Sequence, residues 1–302
     1  MSKTNKTSKA SAQKSNNTIT GKDIKQQVTD RIIAIMERGT EAWQKTWKAA
    51  AGAGFPSNAS SGKAYQGINI VILWAAAQDA GYASSKWLTY KQAAALGATV
   101  RKGERGTGIV FYSPLQIEDE ATGEEKEICM LKSFVVFNIA QIDGLPVETL
   151  ETDMTPEPFS PHELAERVIG GSGASIEFGG NQPCYVPSLD VVRMPHPESF
   201  KTAENYYTTM AHELSHWTGH SSRLDRNLKG KCGTADYARE ELCAELTAAF
   251  LSAHFGMIDG SIEQHASYLD SWLKVLKEDK CAIFQAASAA QKAYDYLLDK
   301  AA

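Results

Sequence analysis

Two histidines four residues apart with a glutamate directly after the first, His212-Glu213-Leu-Ser-His216, carry the most specific chemistry in this sequence. Residues four apart stack on one face of a helix, so both imidazoles reach one cation while Glu213 leans towards the ion's open side. Zinc held by three protein ligands keeps a fourth position for water and brings that water's pKa to about 7, and a neighbouring carboxylate can take the proton. This is chemistry for hydrolysing peptide bonds. The plainer alternative is a hydrophilic His-Glu pair on an exposed helix. A third ligand is expected from the next helix, where Glu240, Glu241 and Glu245 cluster. Glu241 and Glu245 share a helix face, so Glu241 is assigned to the ion. Glu245, one turn on, is assigned to the free ring N–H of a ligating histidine, and Glu240 points elsewhere. His220 is a rival ligand, but it falls past Gly219, off the helix, and at the wrong spacing for the metzincin pattern. Tyr185, Tyr206, Tyr207 and Tyr237 could each stabilise an oxyanion, and nothing in the sequence chooses among them.

The elements that must position these groups follow from periodicity and caps. Residues 202–218 and 235–255 read as helices stopped by Gly219 and Gly256, followed by helices over 262–276 and 280–298. Ser160-Pro-His-Glu163 combines an N-cap serine, a proline at the first helical position and a glutamate at the third, so a helix starts at Pro161 and runs towards Val168. Residues 175–178, 184–186 and 191–194 read as three short strands of an antiparallel meander. Upstream, Ile24, Val28, Ile32, Ile35 and Met36 line one face of a helix that ends at Gly39, with Trp43 and Trp47 beyond it. The Gly/Ser/Asn loop over 54–67 is a functional candidate. An apolar helix over 68–80 ends at Gly81 and a short one over 89–96 ends at Gly97. Residues 108–112 and 128–137 are expected to form a hairpin around an acidic turn.

The strongest composition break is Pro146 to Pro161, four prolines among acidic residues. The expectation is therefore an α+β protein of two domains: a basic flexible tail over 1–20, a first domain over 21–145, a linker over 146–160 and a second domain over 161–302. Charge divides with them. Residues 1–150 hold 18 Lys and Arg against 14 Asp and Glu, a balance of +4, and the rest hold 13 against 22, a balance of −9. Lys3, Lys6, Lys9, Lys14 and Lys22 in or beside the tail could add a sequence-independent pull on phosphates, or serve solubility alone. No apolar run reaches the roughly 18 residues of a membrane span and no secretory pattern follows the first lysines, so no membrane partner is expected. Five scattered cysteines without a C-x-x-C pair fit a reducing cytoplasm, with Cys243 as a buried structural thiol.

Beyond these readings, the run Tyr206-Tyr-Thr-Thr-Met-Ala-His-Glu-Leu-Ser-His-Trp-Thr-Gly-His220, with Arg223-Leu-Asp-Arg226 and Tyr237-Ala-Arg-Glu-Glu-Leu-Cys-Ala-Glu245, resembles the ArdC-type antirestriction proteins of conjugative plasmids. Ser61-Gly-Lys-Ala-Tyr-Gln-Gly-Ile-Asn69, Trp87-Leu-Thr-Tyr-Lys-Gln92 and Val100-Arg-Lys-Gly-Glu-Arg-Gly106 resemble that family's N-terminal domain. The resemblance implies an N-terminal domain that binds single-stranded DNA and a zincin-like metallopeptidase fold, together protecting incoming plasmid DNA from host restriction. Carried over by motif, His212, His216 and Glu241 would hold one metal ion, zinc or alternatively manganese, with Glu213 as general base.

Non-specific grip on a single strand needs aromatic platforms and basic groups. The first half offers Lys63 and Tyr65 on the loop, Trp87, Tyr90 and Lys91 around the short helix, and Arg101, Lys102 and Arg105 in a turn. Trp87 and Tyr90 could equally be core. Three functions remain open: a protein that coats single strands with an incidental metal site, a DNA-recruited protease acting on a restriction subunit or DNA-bound protein, and a regulatory protease cleaving a repressor.

Overall fold

The computed structural model describes residues 21–39, 43, 54–118, 125–150, 161–231, 233–257 and 265–302. The basic tail, Trp47, most of the acidic turn and the second half of the proline-rich segment lie outside the described residues.

Helix α1 (Gly21–Met36) buries the five apolar residues expected of it. Helix α2 (Ile68–Ala80) is apolar on every side and ends at Gly81, whose φ of 68° suits glycine. The reason is its place: Ile70, Val71, Ile72 and Trp74 face one core, while Leu73 and Ala76 face another with Trp87, Ile109 and Val136. The expected hairpin forms, with β4 (Thr107–Glu118) and β5 (Glu125–Asn138) paired from Thr107↔Val136 to Glu118↔Glu125. Two strands absent from the sequence reading complete the sheet. These are β1 (Ser57–Asn58), inside the Gly/Ser loop, and β2 (Lys86–Thr89), and the strand order is β1-β2-β5-β4. Both are too short to show an alternating pattern. The short helix α3 (Tyr90–Ala95) follows β2 directly, and Thr89 and Gln92 form a reciprocal capping box at its start. Strands β3 (Thr99–Val100) and β6 (Ile142–Asp143) pair separately.

Strand β4 lies at the sheet's edge, and Asn69 of α2 closes it at one point. Its Nδ2 donates to the Val110 carbonyl at 2.7 Å and its Oδ1 accepts from the Val110 N–H at 2.9 Å. One side-chain amide thus stands in for a neighbouring strand. Asn69→Ala leaves both backbone groups without partners and should cost about 1–3 kcal/mol in chemical denaturation; an unchanged midpoint would mean that solvent replaces the amide.

In the second half, α4 (Pro161–Ser172) begins where expected. Strands β7 (Ser175–Phe178), β8 (Cys184–Val186) and β9 (Val191–Met194) occupy the expected residues, but they do not form a meander. The order is β7-β9-β8, with β7 parallel to β9 and only β8 antiparallel to it. Val192 and Met194 of the central strand are wholly buried, so the strand with the best apolar alternation takes the middle and leaves β8 at an edge. Helices α5 (Ala203–Thr218), α6 (Ala235–Phe255), α7 (His265–Glu278) and α8 (Ala282–Ala301) follow.

The two modules share apolar contact. Ile24, Ile32, Trp43, Ile70 and Trp74 of the first half form one buried cluster with Leu242, Leu246, Phe250, Trp272 and Ile283 of the second. Trp43 meets Trp272 at a ring-centroid distance of 6.3 Å. No helix among the described residues is long and apolar enough to cross a membrane.

Candidate metal centre

Helix α5 carries His212, Glu213 and His216 on a wall against α6, and the buried hydroxyls of Ser215 and Thr247, 3.0 Å apart, tie the two helices together at that level. The residue that caps the helix, Gly219, must be small for a steric reason, since a Cβ there would lie 2.9 Å from the Arg226 guanidinium. The Nε2 atoms of His212 and His216 are 3.2 Å apart. Glu241 completes the triangle, with Oε2 3.4 Å from His212 Nε2 and Oε1 3.6 Å from His216 Nε2. Three ligands at 2.0–2.1 Å from a tetrahedral ion must be about 3.3 Å from one another, so this triangle has the size of one face of such a tetrahedron. His212, His216 and Glu241 are the group among the described residues that could hold a metal ion.

The surroundings favour a cation. Glu213, Glu240, Glu241 and Glu245 crowd the two imidazoles with Arg226 as the nearby counter-charge. Burial pulls His212 towards the neutral form, but the Glu241 hydrogen bond and the charges of Glu213, Glu241 and Glu245 outweigh it and raise its pKa to about 9. For Glu241 burial works upward, yet the two histidines and Tyr237 bring its pKa down to about 2. Buried Glu213 goes the other way: desolvation raises its pKa against the pull of the histidines and of the hydrogen bond it accepts from the Tyr185 backbone N–H.

Two assignments change. Glu240 does not point elsewhere: its Oε1 lies 3.1 Å from His216 Nδ1, and Arg226 holds both its oxygens through Nη2 at 2.8 Å and Nε at 3.0 Å. Glu240 therefore orients His216, the task expected of Glu245. Among the described residues no group hydrogen-bonds His212 Nδ1, and Glu245, buried one turn along α6, acts on His212 through its charge. The helical spacing of Glu241 and Glu245 suggested one shared face, but α6 meets α5 closely enough for adjacent glutamates to flank the same imidazole. Glu240→Gln should weaken divalent-metal affinity about 10–100-fold in chelator competition; unchanged affinity would make the Arg226–Glu240 pair purely structural.

His220 stands outside the ligand group of His212, His216 and Glu241, with its Nδ1 2.8 Å from Ser222 Oγ beyond the helix. Among the tyrosines, Tyr207 donates to Glu166 at 2.9 Å, Tyr206 is core, and Tyr185 turns its hydroxyl to Asp190 at 2.8 Å. Tyr237 alone of the four brings its hydroxyl to the centre, between Tyr268 at 3.1 Å and Glu241. The cleft over the triad has a volume of about 230 Å³; Pro183, Cys184 and Tyr185 of the β8 edge form one side, and Leu228, Tyr268 and Trp272 supply apolar walls. Cys243 is buried, and burial pushes its thiol up to about 12, as befits a structural cysteine.

Residues 163–289 match the family described as zincin-like metallopeptidase, and residues 22–137 match the N-terminal domain of anti-restriction factor ArdC. The crystal structure of the antirestriction ArdC protein from plasmid R388, in its metal-free form, is 45% identical, with a TM-score of 0.79 over 92% of this chain and 98% of that one. The chain belongs to the ArdC family of antirestriction proteins. The Mn(II)-bound structure of the same R388 protein superposes with a TM-score of 0.77 at 43% identity, over 93% of this chain and 98% of that one. A DNA primase TraC of Escherichia coli is 40% identical over 92% of this chain, which spans only 27% of the primase's length.

In this ArdC-family chain the residues expected to contact DNA do not fall into one class. Lys63, Tyr90, Lys91, Lys102 and Arg105 are exposed. Tyr65 is half-buried, with its hydroxyl 3.5 Å from Asn58 Nδ2. Arg101 is exposed but forked between Glu104 at 2.9 Å and Asp143 at 3.3 Å, which spends much of its charge. Trp87 is a correction. It is 0% exposed, packed edge-on against Tyr82, because the short strand carrying it runs beneath α2; it is core and offers no face to a base. Phe111 and Phe134, which no sequence signal marks, are both exposed. Alternating β patterns assign such rings to a core, and only the sheet's extension beyond its helices puts them in solvent.

Proposed function

We propose that the chain binds single-stranded DNA without sequence preference through its first module and shields incoming plasmid DNA from host restriction. We further propose that its second module is a zinc-dependent peptidase acting on a restriction subunit or another DNA-bound protein. The observation that carries the peptidase reading is the triangle of His212, His216 and Glu241 with an open cleft above it. Structural zinc sites are closed by four protein ligands, whereas three ligands and a cleft leave a position for reactants. When bound there, the ion lowers the pKa of water to about 7 and polarises a carbonyl.

The chain's own residues supply the rest. Glu213 sits buried beside the triad, held by the Tyr185 N–H, where it can accept a proton and pass it on. Tyr237 presents a hydroxyl whose pKa is raised by burial, the Tyr268 contact and the Glu241 charge, so it stays protonated and can donate to a developing oxyanion. The β8 edge offers backbone groups to an extended peptide, the usual way for a strand to add to a sheet.

The test uses the full zinc-loaded chain with purified restriction subunits and single-strand-binding proteins, with and without oligonucleotide. Fragments that require zinc, vanish with a chelator and increase with DNA are expected. Binding of oligonucleotide without any cleavage would leave the centre a structural one.

A further inference from the structure

We propose that the stretch of the β4–β5 hairpin next to α3 is the base-stacking surface of the first module, with Phe111 and Phe134 as platforms and Lys132 beside them for phosphate. The proposal rests on the reading that this module binds single-stranded DNA, and it says where.

Phe111 is 57% exposed, Phe134 46% and Val135 50%. Scattered exposed apolar residues are ordinary, but these two rings are neighbours, 6.4 Å apart and at 77° to one another. The register pairs Phe111 with Lys132 and Ile109 with Phe134, and directly opposed residues share a face of a sheet. Phe111, Phe134 and Lys132 therefore lie on one face. Further along that face Ile109 and Val136 are buried, so the exposed pair begins where the core ends. Strand β2 also stops there. Its last pairing is Thr89 with Val136, and the chain then turns into α3 with Tyr90, 60% exposed, and the exposed Lys91 at its start.

The composition selects the partner. Across residues 107–111 and 131–136 the one charged residue is Lys132, and no carboxylate is present to repel phosphate. Aromatic faces with interleaved lysines suit an unpaired strand, whose bases stack without regard to sequence while cations follow the backbone. A duplex hides its base faces, so the rings have nothing to stack on there.

The experiment measures fluorescence anisotropy of a labelled 20-nucleotide oligo(dT) with the full chain. Phe111→Ala and Phe134→Ala should each weaken binding about 5- to 100-fold. Neither should alter the salt dependence or the melting temperature, because each ring is half in solvent. Phe134→Leu keeps apolar bulk but removes the ring and should behave like alanine. Phe134→Trp should retain affinity, with its indole emission quenched on binding. Lys132→Ala should instead lower the slope of log K against log salt by about 0.7. Ring variants that bind like the parent, or leucine that restores binding, overturn the proposal while leaving DNA binding itself standing. Rings whose loss abolishes self-association in sedimentation but spares DNA binding would make the hairpin an interface between copies, which also overturns it. A parent chain that fails to bind the oligonucleotide sinks the DNA reading and this proposal together.

Discussion

Glu213→Gln should leave a chain that holds its metal ion and its oligonucleotide as the parent does, while peptide turnover falls by about 10²- to 10⁴-fold. Glutamine keeps the size and the hydrogen bond to the Tyr185 N–H but cannot take up a proton. The substitution also removes one negative charge from a buried cluster containing Glu240, Glu241 and Glu245, so the fold has no reason to weaken. Metal content, melting temperature and cleavage are measured on one preparation, and protection of unmodified plasmid DNA is measured in cells carrying a restriction system. Protection that disappears with cleavage makes proteolysis the means of antirestriction. Protection that survives assigns it to the DNA-binding module. Turnover equal to the parent's would show that Glu213 is not the base.

Glu241→Ala should have the larger effect on the ion. The carboxylate contributes one corner of the ligand triangle and its charge favours a cation beside both imidazoles. Two histidines on one helix turn still reach a divalent ion, but without the charge or the third bond. Affinity should fall by more than the roughly 10–100-fold typical of losing an outer hydrogen-bond partner. Chelator competition reads the affinity directly. Thermal melting gives an independent check, because an ion at about 100 times its Kd stabilises the parent by about 2.7 kcal/mol and should do little for the variant. Stoichiometric tight binding by Glu241→Ala would mean that Glu213 or Glu245 moves in to replace it.

Much of this centre is legible in the sequence. The four-residue spacing of His212 and His216 and the glycine after α5 placed the pair on one helix face, and the neighbouring acids named the next helix as the source of a third ligand. What sequence could not supply was the crossing of the two helices. Periodicity tells which residues of α6 share a face, but not that Glu240 reaches around to His216, nor that Arg226 returns from the loop after Gly219 to clamp it. The sheets show the same limit. The three strands around Tyr185 were located to the residue, yet their order depends on which strand the helices bury, a long-range choice that favours β9. Strand β2 has four residues, too few for alternation to be read, and Trp87 was misassigned with it.

The joint core also bears on how such a protein can be inherited. Cutting it between the two matched families would bare Trp43 and Trp74 on one piece and Phe250 and Trp272 on the other, and each fragment would need a new cover for its tryptophans. Keeping the two halves together leaves that core covered, and the match to the much longer primase likewise runs over 92% of this chain, through both halves.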